Sequence, residues 1–203
     1  GGTDITANIS GPDVSFSAPA DYNGSESFTV SVSDAEYTDS QTISVTVNAV
    51  NDAPTANAAS GATNEDQSVV VALSGDDIDG DNLTFSLGDS ATNGSVSLDG
   101  SLATYTPDAN YNGDDSFTFS VSDGEFSASA NVSISISAVN DAPVLATVSD
   151  VSFDEDGSGS ASLSGSDVDG DDLSYSIIGG TDITANISGP DVSFSAPADY
   201  NGS

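Results

Sequence analysis

Internal repetition limits this chain more than any other feature. Residues Gly1 to Ser25 return letter for letter as Gly179 to Ser203, a shift of 178 residues. A diverged copy lies at half that step. Asn51-Asp52-Ala53-Pro54 returns as Asn140-Asp141-Ala142-Pro143, and Tyr22-Asn23-Gly24 as Tyr111-Asn112-Gly113 and again as Tyr200-Asn201-Gly202. Val32-Ser33-Asp34 matches Val121-Ser122-Asp123 at the same step of 89. The sequence therefore reads as the back of one repeat (1–50), one complete repeat (51–139) and the front of a third (140–203). A letter-for-letter copy suggests recent duplication in a much longer protein, so the two ends are not expected to be domain boundaries.

Within the complete repeat, the runs Ser68 to Ser74, Leu83 to Leu87, Ser95 to Leu98, Leu102 to Thr106, Ser116 to Ser122 and Ala128 to Ser137 are separated by Gly, Asp, Asn or Pro. Phe117, Phe119 and Val121 alternate with Thr118 and Ser120, and Val132, Ile134 and Ile136 alternate with Ser133 and Ser135. A period of two means a strand with one face inward and one face wet. No 3.6-residue period appears, and β-branched and hydroxyl residues dominate. With the segment after Pro54 this gives about seven strands in fewer than 100 residues, the size of an immunoglobulin-like sandwich. The expected fold is all-β: seven-stranded Greek-key sandwiches in tandem. Its expected core is Phe85, Leu87, Val96, Leu98, Tyr105, Phe117, Phe119, Val121, Val132, Ile134 and Ile136. Each such side chain contributes roughly 1.5–3 kcal/mol on burial, most of which chain entropy offsets. Tyr111 stands where sandwich folds carry a tyrosine corner. A plain aromatic packed under a Tyr-Asn-Gly turn reads equally well.

Composition enters because such a small core must withstand the charge. The chain has 33 Asp and Glu, no Lys, no Arg and no His, a formal charge of −33. No side-chain ion pair can form, and an external cation is the natural missing partner. Acidity of this degree repels nucleic acid and anionic membrane. The absence of Cys removes disulfides and thiolate chemistry, the absence of Lys removes Schiff bases and isopeptide staples, and the absence of His removes the usual base and transition-metal ligand. No apolar run approaches the roughly 20 residues that cross a bilayer, so no membrane insertion is expected in this segment. No basic leader opens the chain, and any secretion signal is expected to lie outside it.

Two stretches concentrate the carboxylates. Asp77-Ile78-Asp79-Gly80-Asp81-Asn82-Leu83 returns 90 residues later as Asp167-Val168-Asp169-Gly170-Asp171-Asp172-Leu173. Asp77, Asp79 and Asp81, and likewise Asp167, Asp169 and Asp171, offer hard oxygens on alternate residues, the ligand set that suits calcium. An EF-hand is excluded: Gly80 is fourth rather than sixth, the twelfth position is Gly88, and the flanks read as strands. The bland alternative is that Asp, Asn and Gly simply form turns on a solvated acidic surface. Glu65 and Asp66 form a further loop pair, and Asp114-Asp115 reads as a turn. Triplets of the Asn-x-Ser/Thr kind at Asn8, Asn82, Asn93 and Asn131 are ordinary in a chain this rich in Ser and Thr.

Together these elements resemble the cadherin-like tandem repeats of giant bacterial RTX-type surface adhesins. The likeness is carried by Val50-Asn51-Asp52-Ala53-Pro54, Asn64-Glu65-Asp66, the Asp77-to-Leu83 motif, Tyr105-Thr106-Pro107 with Tyr111-Asn112-Gly113, and Val121-Ser122-Asp123-Gly124. The resemblance implies calcium between successive modules, held by Asn51, Asp52, Asp77, Asp79 and Asp123, with Asp21 from the preceding module. At the next junction it implies Asn140, Asp141, Asp167 and Asp169, with Glu65 from the module before. The acidic Asp-x-Glu turn of cadherins is not preserved at Pro107-Asp108-Ala109-Asn110, and Ala53 stands where the cadherin linker ends in asparagine, which implies fewer or weaker ions.

The implied function is that of calcium-rigidified extender repeats. They would project the adhesive region of a bacterial surface protein and support adhesion or biofilm formation outside the cell. The expected partners are neighbouring repeats of the same chain. A second reading is a self-assembling extracellular filament or matrix built from calcium-bridged identical chains. An enzyme is not expected: only a carboxylate-pair hydrolase remains open, and carboxylates that recur in every repeat do not look like one active site.

Overall fold

A computed structural model describes residues 4–201. Every regular element among them is a β-strand, and two compact units are formed, Gly1–Ser137 and Ala138–Ser203. The first unit takes in both the 1–50 segment and the complete repeat, and its boundary falls two residues before the one read from the sequence.

In the first unit, β1 (Thr6–Ser10) and β2 (Asp13–Ser17) form one hairpin, and β3 (Gly24–Ser33) and β4 (Thr38–Val47) form another. The complete repeat follows with β5 (Thr55–Asn57), β6 (Ala59–Asn64), β7 (Val69–Ala72), β8 (Ser74–Asp76) and β9 (Thr84–Leu87). It continues with β10 (Gly94–Asp99), β11 (Leu102–Pro107), β12 (Gly113–Ser122) and β13 (Ser127–Ser137). One sheet runs β6-β13-β12-β9, with β6 parallel to β13, and the other runs β10-β11-β7. β5 pairs with β8. Only Ala58 separates β5 from β6 and only Leu73 separates β7 from β8, so nine segments fill seven strand positions.

Both sheets feed one core. Val71 of β7 and Ala103 and Tyr105 of β11 meet Phe117, Phe119 and Val121 of β12 and Val132, Ile134 and Ile136 of β13, with Leu73 between them. This is an immunoglobulin-like β-sandwich. Phe85, Val96 and Leu98 lie partly buried against it, as expected for strands at the rim. Leu87 corrects the sequence reading: it is 40% exposed, because it ends the edge strand β9 where no neighbouring strand covers it. Val71, Leu73 and Ala103 were missing from the expected core. The Val69-Val70-Val71 run hides its own alternation, and an alanine signals little.

In the second unit, β14 (Val144–Leu145) pairs with β16 (Gly165–Ser166). β15 (Ser158–Ser162), β18 (Asp191–Ser195) and β17 (Thr184–Ser188) form a three-stranded sheet in that order. These pairings repeat those of β5 with β8 and of β7, β11 and β10 in the complete repeat.

Candidate functional site: the acidic loops

The Asp77-to-Leu83 loop follows the short pair β5–β8 and is closed by its first carboxylate. Asp77 Oδ1 accepts from the backbone N–H of Asp79 at 2.9 Å and of Asp81 at 3.2 Å. Gly80 supplies a φ of +82°, in open space, so the glycine is required by backbone conformation and not by crowding. The linker then docks on this loop: the Asp52 N–H donates to Asp79 Oδ2 at 2.7 Å. Asn51 Nδ2 donates to Asp123 Oδ2 at 2.9 Å, while Asp123 Oδ1 accepts from the N–H of Glu125 and of Phe126. Segments 72 residues apart in sequence thus meet at one end of the sandwich.

The second unit reproduces the device. Asp167 Oδ1 accepts from Asp169 N–H at 3.0 Å and from Asp171 N–H at 3.3 Å, Gly170 has φ +80°, and Asp141 N–H donates to Asp169 Oδ2 at 2.6 Å. Asn140 Nδ2 donates to the Asp141 carbonyl at 2.8 Å.

Charge gathers without a counter-charge. The Asp52 carboxyl is pushed above the usual carboxylate range, first by burial and then by the charges of Asp21, Asp79 and Asp77. Asp77 Oδ2 is buried and accepts no hydrogen bond. Asp123 lies lower than usual: burial raises it, but the Asn51 amide and the Glu125 and Phe126 N–H groups outweigh burial. Among the described residues no three acidic side chains converge closely enough to hold a metal ion as they stand. The structure brings together Asp21, Asn51, Asp52, Asp77, Asp79 and Asp123, and separately Asn140, Asp141, Asp167 and Asp169. Asp81 and Asp171 enter through their N–H groups, and both residues are exposed. Glu65, the ligand implied above for the next junction, is 4% exposed, with its N–H on the Ser137 carbonyl at 2.9 Å. Its neighbour Asp66 takes φ +59° and accepts from Asn110 N–H at 3.1 Å.

The sequence reading missed Asp115, taken above for a turn residue. It stands in β12 and clamps the loop ahead of β10: its carboxylate accepts from Thr92 N–H, Asn93 N–H and the Tyr105 hydroxyl at 2.9–3.1 Å. Burial raises the Asp115 carboxyl, but the Asn93, Thr92 and Ser116 N–H groups and the Tyr105 hydroxyl bring it below the usual range. Burial, then Asp115 itself, drives the Tyr105 phenol up. An acid at the same place in the preceding repeat was the available signal: Glu26, 89 residues earlier, takes the N–H groups of Asp4 and Ile5. Tyr111 proves to be the local turn aromatic, since its hydroxyl donates to the Asp114 carbonyl three residues on.

Residues 51–135 match the bacterial Ig domain family. No curated protein matches the sequence. Among solved structures, an endo-fucoidan hydrolase from glycoside hydrolase family 107 is 16% identical, with 97% of this chain and 33% of that chain covered and a TM-score of 0.37. Domains 4–9 of the surface-layer protein SbsC are 15% identical, with 98% of this chain and 36% of that chain covered and a TM-score of 0.30. This chain therefore spans about a third of the length of either. No helix among the described residues is long and apolar enough to cross a membrane.

Proposed function

We propose that this chain is a run of extender repeats from a bacterial surface protein, stiffened by calcium where successive repeats meet, and that it carries no catalysis of its own. The observation behind this reading is the buried, unpartnered Asp77 Oδ2 beside Asp52, whose carboxyl is raised by burial and by three neighbouring charges. The donor set fits calcium in kind: hard carboxylate and amide oxygens from Asp21, Asn51, Asp52, Asp77, Asp79 and Asp123 at the first site, in a chain with no cationic side chain to compete. Asn140, Asp141, Asp167 and Asp169 would serve at the second. Asp81 and Asp171 can join only by turning their exposed carboxylates inward. Bound there, the ion would supply two positive charges and draw these oxygens closer. The residues themselves already fix the frame, through the Asp77 loop, the Asp52 N–H on Asp79 and the Asn51 amide on Asp123. The bacterial Ig domain match supports a surface-associated repeat, and the extender role in an adhesin and its placement outside the cell belong to the proposal.

Ion binding stabilises the ordered state by RT ln(1 + [L]/Kd). With Kd of 10⁻⁴–10⁻³ M, as is usual for extracellular modules, about 10 mM calcium contributes about 1.4–2.7 kcal/mol per site. Titration calorimetry of the intact chain is expected to show calcium binding, with a rise in melting temperature that chelator reverses. Asp77→Asn should remove the first site and leave the second. No heat and no shift at millimolar calcium would end the reading.

A further inference from the structure

The complete repeat ends one of its sheets on an unguarded strand. β9 is the last strand of the β6-β13-β12-β9 sheet, and among the described residues no strand pairs with its far side. Natural edge strands are blunted by charge, proline or a bulge, because an exposed row of N–H and C=O groups invites a further strand. Thr84-Phe85-Ser86-Leu87 carries neither charge nor proline, in a chain with 33 acidic residues, and its register from Ser122↔Thr84 to Phe119↔Leu87 is unbroken. Leu87 is 40% exposed at this edge, while Phe85 is held ready by stacking on Phe119 at 6.3 Å.

Backbone direction fixes what the edge presents. Gly88 N–H donates to the Thr118 carbonyl at 2.8 Å, and alternate residues of an antiparallel ladder face the same neighbour. Thr84, Ser86 and Gly88 therefore turn their backbone groups to β12, and Phe85 and Leu87 turn theirs outward. The strand that fits here is extended, uncharged, and carries two apolar side chains two residues apart. We propose that it is β9 of a second copy of this chain, paired antiparallel about a two-fold axis at Ser86. Phe85 of each copy then exchanges N–H···O=C bonds with Leu87 of the other, and Ser86 stands opposite Ser86. Both apolar side chains face the side of their ladder partners Val121 and Phe119, so the two cores become continuous across the joint. Shifting the pairing by two residues one way sets Phe85 against Asp89, and the other way sets Leu87 against Leu83, outside the strand.

Charge decides how firmly the copies hold. The acids nearest to β9 in sequence are Asp81 and Asp89, both exposed, and the pairing sets Asp89 of one copy opposite Leu83 of the other. Their repulsion opposes association and is screened by salt. A contact of four residues a side is weak alone. The same pattern returns 90 residues later as Ser174-Tyr175-Ser176-Ile177, again without charge, so each further repeat adds an edge of the same kind. The pairing stands apart from the calcium reading and is tested in chelator.

With no cysteine in the chain, one introduced thiol reports the contact. Ser86 falls at a non-hydrogen-bonded pair on the axis, where Cα atoms of paired strands lie about 4.5 Å apart, within the span of a disulfide. Under mild oxidation in about 0.5 M salt, Ser86→Cys protein is expected to form a covalent dimer of twice the 20.1 kDa chain mass at least about tenfold faster than Ser135→Cys protein. Ser135 is also exposed, but it lies on β13 between β6 and β12, away from any edge. Leu87→Pro should bring the Ser86→Cys rate down to that of Ser135→Cys, since it removes an outward N–H and no bond to β12. Sedimentation needs no thiol: the parent chain should self-associate as concentration rises, and Ser86→Asp, changed at an exposed hydroxyl, should do so at least about tenfold more weakly. Equal oxidation rates at Ser86 and Ser135 would overturn the proposal. So would a faster rate for Ser97→Cys, on the edge strand β10 of the other sheet, or a fast rate that survives Leu87→Pro in a chain with the parent circular dichroism.

Discussion

Tyr105 and Phe194 occupy the same place in successive repeats. Tyr105 is wholly buried, whereas Phe194 is half-buried and lines an open groove. The acidic loops of the same two regions are nearly superimposable in their bonding: first carboxylate to two N–H groups, glycine at φ of about +80°, linker N–H to the middle aspartate. What differs is what needs distant chain, and what agrees is written within seven residues and one nearby linker. The strand pairing of the sheet is the same in both. Burial is not.

The largest way to sharpen that contrast is to remove the centre of the closed core. Phe119 is fully buried and stacks on Phe85 at 6.3 Å. Phe119→Ala should destabilise the complete repeat by about 3–5 kcal/mol, a loss readable by chemical denaturation. Val30→Ala, at the matching place in β3, removes less from a site only partly covered and should change stability far less. Equal losses at the two positions would break the comparison.

Next comes the Asp115 clamp, which ties β12 to the loop ahead of β10. Asp115→Asn keeps one acceptor and should cost about 1–3 kcal/mol. Because the folded carboxyl lies below its usual value, its contribution is present above the unfolded value of about 4 and is lost as pH falls through the folded one. Acid unfolding of the Asn variant, followed by circular dichroism, should therefore show a shallower fall in stability below about pH 4 than the parent chain.

These positions also show how much could be read in advance. The β12–β13 hairpin announced itself through strict alternation, and the strand positions of the complete repeat followed from turn residues between short apolar runs. Strand interruption at Ala58 and Leu73 left no such trace, since a break of one residue reflects how two sheets share a strand. The acidic loops were legible because an Asx-type turn is a short-range device. Asp115 was not, because its partners Thr92, Asn93 and Tyr105 lie 10 to 23 residues away. Leu87 misled because alternation gives a face but not whether a strand covers it.

Gly80 and Gly170 test the claim that the loops are locally encoded. Each sits at positive φ with nothing within 4 Å of an added Cβ. Gly80→Ala and Gly170→Ala should each cost about 1–2 kcal/mol from backbone strain alone. Similar losses in the two units, despite their different cores, would support local encoding, whereas a loss confined to the complete repeat would place the constraint in the sandwich.

The smallest effect concerns Asp52, and its sign is opposite to that of Asp115. Its folded carboxyl is raised, so the folded chain holds a proton that the unfolded chain releases. In chelator, stability should fall as pH rises from the unfolded value of about 4 through the raised one, and Asp52→Asn should remove that slope and stabilise slightly. With calcium present the slope should reverse, because the ion and the proton compete for the same oxygen, and apparent affinity then grows with pH over the same interval. Thermal melts across that interval, with and without calcium, separate the two cases. A slope of the same sign in both would mean that Asp21, Asp77 and Asp79 crowd Asp52 without converging on an ion.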